Sequence, residues 1–328
     1  MKKIISLALV FLIMCGAVFG MAACSKNGRV ATGKLSVVTT AFPVYDWAKE
    51  VIGDNTDNVE LTMLLDNGID LHSYQPSADD MAKIAACDMF IYVGGESDKW
   101  AEDGLVTATN KDMIVINVLD VLGDAVVEEE ILDGMEYEHG EDENQEHEND
   151  NKADEHVWLS LQNAKTVCTH IAQQLCMIDA DNASDYTANA ENYNLKLSAL
   201  NVEYQEAVDS AAYDTLLFAD RFPFRYLVDD YGLSYYAAFS GCSAETEASV
   251  ETIAFLAQKV AELNLPAVII IDGSDGSIAS TVIETAGGNH SVLTLNSLQS
   301  VTSADIANGA DYLSIMQDNL EVLKDALN

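Results

Sequence analysis

Short, β-rich apolar runs that alternate with helical patterns are the feature that most constrains the fold of this 328-residue chain. The runs lie at 35–39, 60–65, 88–93, 113–118, 215–219, 234–239, 266–272 and 291–295. Helical patterns separate several of them, as at 43–52, 79–86, 247–263 and 277–286, and a last one at 311–327 closes the chain. Strands that alternate with helices form parallel sheets with helices packed on them. The sequence therefore predicts an α/β fold with two parallel sheets.

One long helix is predicted between the two halves, at 180–211. This segment has no Pro or Gly, and its apolar residues recur at three- and four-residue spacing. A stiff helix between two α/β lobes leaves a cleft at the carboxyl ends of the strands, where such sheets bind ligands. The expected organisation is a leader at 1–23, a tether at 24–34, an N-terminal lobe at 35–179, the linking helix at 180–211 and a C-terminal lobe at 212–328.

The N-terminus has the pattern of a secretory signal. Two lysines precede the apolar run 4–19, and small residues lead to Cys24. The apolar run is too short to be read as a spanning helix, although an uncleaved anchor is the alternative. Because small residues before a Cys resemble a bacterial lipobox, we expect cleavage before Cys24 and a lipid on its thiol. The mature protein would then be anchored to the outer face of the cytoplasmic membrane.

Charge and cysteine spacing exclude several classes of protein. The chain has 54 acidic and 16 basic residues, a net charge of −38, which repels nucleic acid and concentrates cations. Cys87, Cys168, Cys176 and Cys242 show no C-x-x-C spacing, so neither a zinc ribbon nor a redox motif is indicated. We interpret these four as small buried apolar residues.

An acidic segment at 128–155 interrupts the N-terminal half. It holds fourteen acidic residues, one lysine and two histidines, His139 and His147. So few apolar residues predict a disordered loop. The loop is either a solvated insertion or a weak collector of cations, since imidazole suits zinc and carboxylates suit harder ions.

His72 and His156 are the candidate metal ligands. His72 lies between the run 60–65 and the helical pattern 79–86, and His156 lies at the exit of the acidic segment, just before another helix. Either one alone would be read as a structural histidine. Two of only six histidines, each in a loop that faces the predicted cleft, favour metal ligation.

Three segments resemble the solute-binding lipoproteins of zinc and manganese ABC transporters. They are TTAFPVYD at 39–46, HSYQPS at 72–77, and HVWL at 156–159, which Asn163 and Ala164 follow. The resemblance extends over essentially the whole mature chain. It implies a monomeric receptor, not an enzyme, with two α/β lobes and a rigid linking helix. One transported ion, Zn²⁺ in preference to Mn²⁺, would lie between the lobes and pass to an ABC permease and, through it, to a cytoplasmic ATPase.

The resemblance also implies four metal ligands, of which His72 and His156 correspond to the first two. At the third position this chain has Arg221, whose guanidinium has no lone pair for a metal. The adjacent Asp220 either replaces the ligand or pairs with Arg221. The fourth ligand in the family is an acidic residue after a C-lobe strand. Asp272 and Asp275 are both candidates, and a gapless comparison favours Asp275, although Asp is also common in turns.

The expected metal ligands are therefore His72, His156, Asp275 and Asp220, a set that suits zinc or manganese. Two other functions stay open. One is a receptor of the same architecture for a different small or anionic ligand, and the other is a surface adhesin with a vestigial metal site. No nucleophile elbow, Walker A or H-E-x-x-H motif supports an enzyme.

Overall fold

The computed structural model describes residues 33–136, 152–243 and 247–328. Its strands are, in chain order, β1 (Leu35–Thr39), β2 (Val59–Met63), β3 (Met89–Tyr92), β4 (Ile114–Asn117), β5 (Thr215–Phe222), β6 (Ser234–Ser240), β7 (Ala267–Ile271) and β8 (Ser291–Leu295). Its α-helices are α1 (Phe42–Ile52), α2 (Ala78–Ala86), α3 (Lys99–Val106), α4 (Val118–Leu122), α5 (Leu161–Ile178), α6 (Ala183–Asp209), α7 (Arg225–Tyr231), α8 (Val250–Leu263), α9 (Ser277–Ala286), α10 (Ser303–Ala307) and α11 (Tyr312–Ala326).

The strands form two four-stranded parallel sheets with the same pattern of connections. Their orders are β2-β1-β3-β4 and β6-β5-β7-β8. Every residue of β3 and β7 is buried, because helices cover both faces of a parallel sheet. The predicted α/β fold is confirmed. In each sheet the chain reverses its direction of winding beside the first strand, which opens a crevice at the carboxyl ends.

The predicted long helix is α6, which follows a short 3₁₀ turn at Ala180–Asn182. It buries one stripe of side chains at three- and four-residue spacing: Tyr186, Ala190, Tyr193, Leu197, Leu200, Tyr204 and Ala207. This stripe packs on neighbouring helices of both halves, including α5, α1 and α11. One continuous helix of 27 residues thus contributes to the core on both sides of the cleft.

The described ends of the acidic segment are ordered, which corrects the prediction of a disordered loop over the whole of 128–155. Glu128 forms an antiparallel bridge with Ala153, and the backbone N–H of Glu129 donates to the carbonyl of Lys152 at 2.8 Å. The backbone N–H of Glu136 donates to the Ala238 carbonyl of β6 at 2.9 Å. The backbone supplies these hydrogen bonds, so the acidic side chains do not prevent them.

Some sequence-based predictions lie outside the described residues. These are the leader at 1–23, the lipidated Cys24, and the loop histidines His139 and His147. Among the residues that are described, no helix combines the length and the apolar character needed to cross a membrane.

Buried hydrogen bonds connect the two halves around Trp158. Its indole Nε1–H donates to the Ser297 carbonyl at 2.9 Å, and its own carbonyl accepts from the Tyr312 hydroxyl at 2.6 Å. The backbone N–H of Tyr312 donates to Asp46 Oδ2 at 2.9 Å. Since Trp158 and Asp46 belong to the N-terminal half and Ser297 and Tyr312 to the C-terminal half, these bonds fix the loop that carries His156.

We expect Tyr312→Phe to lower the free energy of unfolding by about 1–2 kcal/mol, because it removes a buried donor and keeps the ring. The ring contact with Trp47, at 5.4 Å between centroids, should persist. Urea unfolding followed by circular dichroism measures the change. Tyr45→Phe is the matched control, since no hydrogen bond of the Tyr45 hydroxyl occurs within the described residues. Equal stability of the two variants would contradict a role for the Tyr312 hydroxyl.

Candidate metal site

His72 lies in the 3₁₀ turn Leu71–Ser73, beyond the carboxyl end of β2. Asp70 caps this turn, because its Oδ1 accepts the backbone N–H of His72 at 2.9 Å. The ring Nδ1 is 2.6 Å from Ser97 Oγ, in the loop after β3. One ring nitrogen is thereby engaged with the N-terminal half, and the other, Nε2, faces His156.

His156 immediately precedes the 3₁₀ turn Val157–Leu159 and is fully buried. Asp154 Oδ1 accepts from both the backbone N–H and the ring Nδ1 of His156, each at 2.8 Å. A carboxylate accepts only, so Nδ1 carries a hydrogen and Nε2 is the nitrogen left to bind a metal. Metal-binding histidines commonly have such a carboxylate partner.

The two histidines meet through their Nε2 atoms, which are 3.1 Å apart. Burial, followed by the charge of His156, lowers the pKa of His72 to about 4. Burial opposes protonation of His156 as well, but the charge and hydrogen bond of Asp154 raise the pKa of His156 above its ordinary value. A proton shared by the pair is therefore favoured on His156 over His72, and a metal ion between the two Nε2 atoms would have to displace it. A zinc ion at ordinary Zn–N lengths would separate the two nitrogens by about 3.3 Å.

Cys242 is the third potential ligand, and sequence reasoning missed it. One ligand atom of each of His72, His156 and Cys242 lies within 4.8 Å of the other two. Of the four cysteines, Cys87 and Cys168 are buried as predicted, whereas Cys176 and Cys242 are only half-buried. Burial, followed by the charge of Glu129, raises the pKa of the Cys242 thiol. The missed signal was a Gly-Cys pair directly after the β6 run, at the carboxyl edge of the second sheet.

Gly241 allows the Cys242 turn to approach His156. A Cβ at this position would lie 3.0 Å from His156 Cε1 and 2.8 Å from the Phe222 carbonyl oxygen. The backbone N–H of Cys242 donates to Glu129 Oε1 at 3.1 Å. A larger residue would therefore push the turn away from the imidazole.

Arg221 extends across the cleft and pairs with Asp70, at 2.9 Å between Nη2 and Oδ2. One of the two alternatives predicted for Asp220, an ion pair with the Arg221 guanidinium, is not formed. Asp220 Oδ1 accepts the backbone N–H of Arg221 at 2.9 Å, and Oδ2 accepts that of Ile271 at 3.4 Å. The Arg221 guanidinium thus has its partner in the opposite lobe, and the Asp220 carboxylate binds backbone of its own sheet.

Asp275 is exposed, and its Oδ1 accepts the backbone N–H of Ser277 at 2.8 Å, which lowers the pKa of Asp275. Asp275 lies at the start of α9. There it has the turn role that the sequence offered as the alternative to metal ligation. The other candidate, Asp272, accepts the backbone N–H of Ser297 through Oδ1 at 2.6 Å. Within the described ranges, the histidine pair is joined by Cys242 and not by Asp220 or Asp275.

Acidic side chains surround the histidine pair. Glu155 is buried, and its Oε1 accepts the backbone N–H of Ser97 at 3.0 Å. Its Oε2 lies 3.8 Å from His72 Nδ1 and has no hydrogen-bond partner in the part of the chain described. Together with Asp154 and Asp70, this carboxylate provides negative charge that favours a cation between the imidazoles.

The known families and proteins that this chain resembles are zinc-uptake and zinc-binding proteins. The family model of ZnuA, zinc-uptake complex component A periplasmic, matches residues 37–326. The zinc-binding lipoprotein AdcA of Streptococcus pneumoniae is 35% identical over 328 residues, 99% of this chain and 61% of the relative. The high-affinity zinc uptake system protein ZnuA of Bacillus subtilis is 26% identical, over 94% of this chain and 93% of the relative. The chain thus spans about three-fifths of the length of AdcA.

Solved structures agree with the family match. The Zn(II)-bound ZnuA-like domain of Streptococcus pneumoniae AdcA is 30% identical with a TM-score of 0.69, and the match covers 90% of this chain and 99% of that domain. The metal-dependent lipoprotein YcdH of Bacillus subtilis, 24% identical with a TM-score of 0.71, shares the fold over 90% of this chain and 100% of its own. From its sequence and its fold, the chain belongs to the ZnuA family of periplasmic zinc-uptake components.

Proposed function

We propose that this protein is the extracytoplasmic solute-binding component of an ABC importer and carries one zinc ion between its lobes. The observation that supports this most is the pair of Nε2 atoms of His72 and His156, 3.1 Å apart, while each Nδ1 has a partner behind it. The ion is cargo rather than a cofactor. The protein would pass it to a membrane permease that is driven by a cytoplasmic ATPase, and it would catalyse no reaction.

The composition of the site favours zinc over manganese. Imidazole nitrogens suit zinc, whereas manganese prefers carboxylate, carbonyl and water oxygens. Two of the carboxylates near the pair are engaged elsewhere: Asp154 holds His156, and Asp70 pairs with Arg221. Glu155 Oε2 has no hydrogen-bond partner within the described residues, but it lies on the Nδ1 side of His72. The nearby negative charge therefore attracts the cation while nitrogen atoms face it. The names of AdcA and ZnuA, which refer to zinc, support the same choice.

Asp220 and Asp275 remain predictions as the other two ligands. Each now accepts backbone N–H groups, from Arg221 and Ile271 for Asp220 and from Ser277 for Asp275, and a carboxylate keeps further lone pairs for a metal. The lobe boundaries predicted at 35–179 and 212–328, the monomeric state and the membrane anchor are likewise part of this proposal. The word lipoprotein in the name of AdcA supports the anchor.

We expect zinc to bind the purified protein with one-to-one stoichiometry and to raise its melting temperature by mass action. His72→Ala and His156→Ala should each weaken zinc binding by more than about 100-fold, since even loss of a residue that only orients a ligand costs about 10–100-fold. Titration calorimetry and thermal unfolding measure both effects.

His290→Ala is the control for this experiment. His290 lies just before β8, at the amino end of the sheet, and its Nδ1 is 2.8 Å from the Leu265 carbonyl oxygen. This variant should bind zinc as the wild type does. If the wild type gives no heat and no thermal shift with zinc, the proposed function is wrong.

Arg221→His should tighten zinc binding, because it removes a fixed positive charge from the cleft and places an imidazole at the third ligand position of the family. Competition with a zinc-binding dye measures the affinity. Arg225→His is the matched control, since Arg225 lies in the same lobe and pairs with Asp229 of its own helix and with Glu130 of the N-terminal half, not with Asp70. Unchanged or weaker affinity of Arg221→His would mean that the cleft is built around the guanidinium and accepts an anionic ligand.

Cys24→Ala should release the protein from the membrane, because the residues before Cys24 have the pattern of a lipoprotein signal. Fractionation of cells into membrane and soluble extracytoplasmic material measures this. Cys176→Ala, which alters a half-buried cysteine of α5, is the control. A Cys24→Ala variant that still sediments with membranes would indicate an uncleaved helix instead of a lipid anchor.

A further inference from the structure

We infer that the Cys242 thiolate is the third protein ligand of the zinc ion and replaces the ligand that Arg221 cannot supply. This inference rests on the proposed function, because it assumes that zinc binds His72 and His156. It adds a residue to the site and gives the site a sulfur donor beside the imidazole nitrogens.

The sheet topology explains how a ligand can move from one strand to the next. β5 and β6 are adjacent and parallel, and their last residues, Phe222 and Ser240, are paired. Both strands therefore end at the same edge of the sheet. Arg221 is at the end of β5, and Cys242 follows β6 by two residues. A side chain lost at one strand end can thus be replaced from the neighbouring end.

The local geometry brings the thiol to the imidazoles. Gly241 lets the turn pack against the His156 ring, and the Glu129 carboxylate holds the backbone N–H of Cys242 at 3.1 Å. The ligand atoms of His72, His156 and Cys242 already lie within 4.8 Å of one another. In a tetrahedral zinc site, nitrogen and sulfur ligands are about 3.6 Å apart. A movement of about 1 Å by the turn or the side chain closes the difference.

The other described cysteines have different surroundings. Cys87 Sγ donates to the Ile84 carbonyl at 3.2 Å, and Cys176 Sγ donates to the Ala183 carbonyl at 3.3 Å. Cys168 is completely buried within α5. In the described part of the chain, only Cys242 belongs to a cluster with two histidines.

A thiolate ligand changes which metals the site selects. Sulfur is a soft donor that favours zinc and disfavours manganese, which prefers oxygen. The Arg221–Asp70 pair is electrically neutral as a unit. Two neutral imidazoles and one thiolate therefore leave a net charge of about +1 on the bound zinc, and the carboxylates of Asp154 and Glu155 lie near enough to balance it.

The test uses cobalt(II) as a spectroscopic substitute for zinc in the purified protein. Wild type should show the near-ultraviolet charge-transfer absorption of a cobalt–thiolate bond. Cys242→Ser should lose this absorption and bind zinc at least about 10-fold more weakly, with Cys242→Ala as a second variant. Cys176→Ser is the control and should retain both properties. Circular dichroism establishes that each variant is folded.

A spectroscopic measurement on the wild type avoids dependence on the variants. X-ray absorption fine structure of the zinc-loaded protein should show a sulfur neighbour at about 2.3 Å beside nitrogen neighbours at about 2.0–2.1 Å. If wild type binds zinc through His72 and His156, but shows neither the charge-transfer absorption with cobalt nor a sulfur neighbour of zinc, the inference is overturned and the proposed function stands. If wild type binds neither zinc nor cobalt, both are overturned.

Discussion

The hydrogen bond from His156 Nδ1 to Asp154, 2.8 Å long, is the interaction on which the site depends. It fixes the buried imidazole so that Nε2 points toward His72, and the same carboxylate oxygen also accepts the backbone N–H of His156. Trp158, two residues further, bonds to Ser297 and Tyr312 in the opposite half. The orientation of one ring is thus tied to the contact between the lobes. Because the His156 side chain is held in one orientation, it would need little rearrangement to bind an ion.

Arg221 connects the C-terminal half to the turn that carries His72. The guanidinium pairs with Asp70, which also caps the turn that carries His72. Arg221 therefore has a structural link to His72 even though its guanidinium cannot bind a metal itself. Arg221 at the end of β5 and Cys242 just beyond the end of β6 lie at the same edge of the same sheet, because these two strands are adjacent and parallel.

The fold could be predicted from the sequence because the strands of a parallel sheet are buried on both faces. Each strand is therefore a continuous apolar run that is visible in the sequence. The sequence also indicated His72 and His156, since each lies in a loop beside a predicted strand or helix. It missed Cys242 because no nearby Cys or His signals a ligand, and the contact depends on tertiary packing. Asp275 stays a predicted ligand. Its carboxylate accepts the N–H of Ser277, a local contact that a gapless comparison cannot show. Likewise, Asp70 is 151 residues from its partner Arg221.

Crystals of the zinc-loaded protein, measured on both sides of the zinc absorption edge, would show whether one zinc ion binds between His72 and His156. We expect one anomalous peak between the lobes, about 2.0–2.1 Å from the Nε2 atoms of both histidines. A peak bound to only one of these histidines, or a peak located solely at acidic side chains away from the cleft, would contradict this expectation.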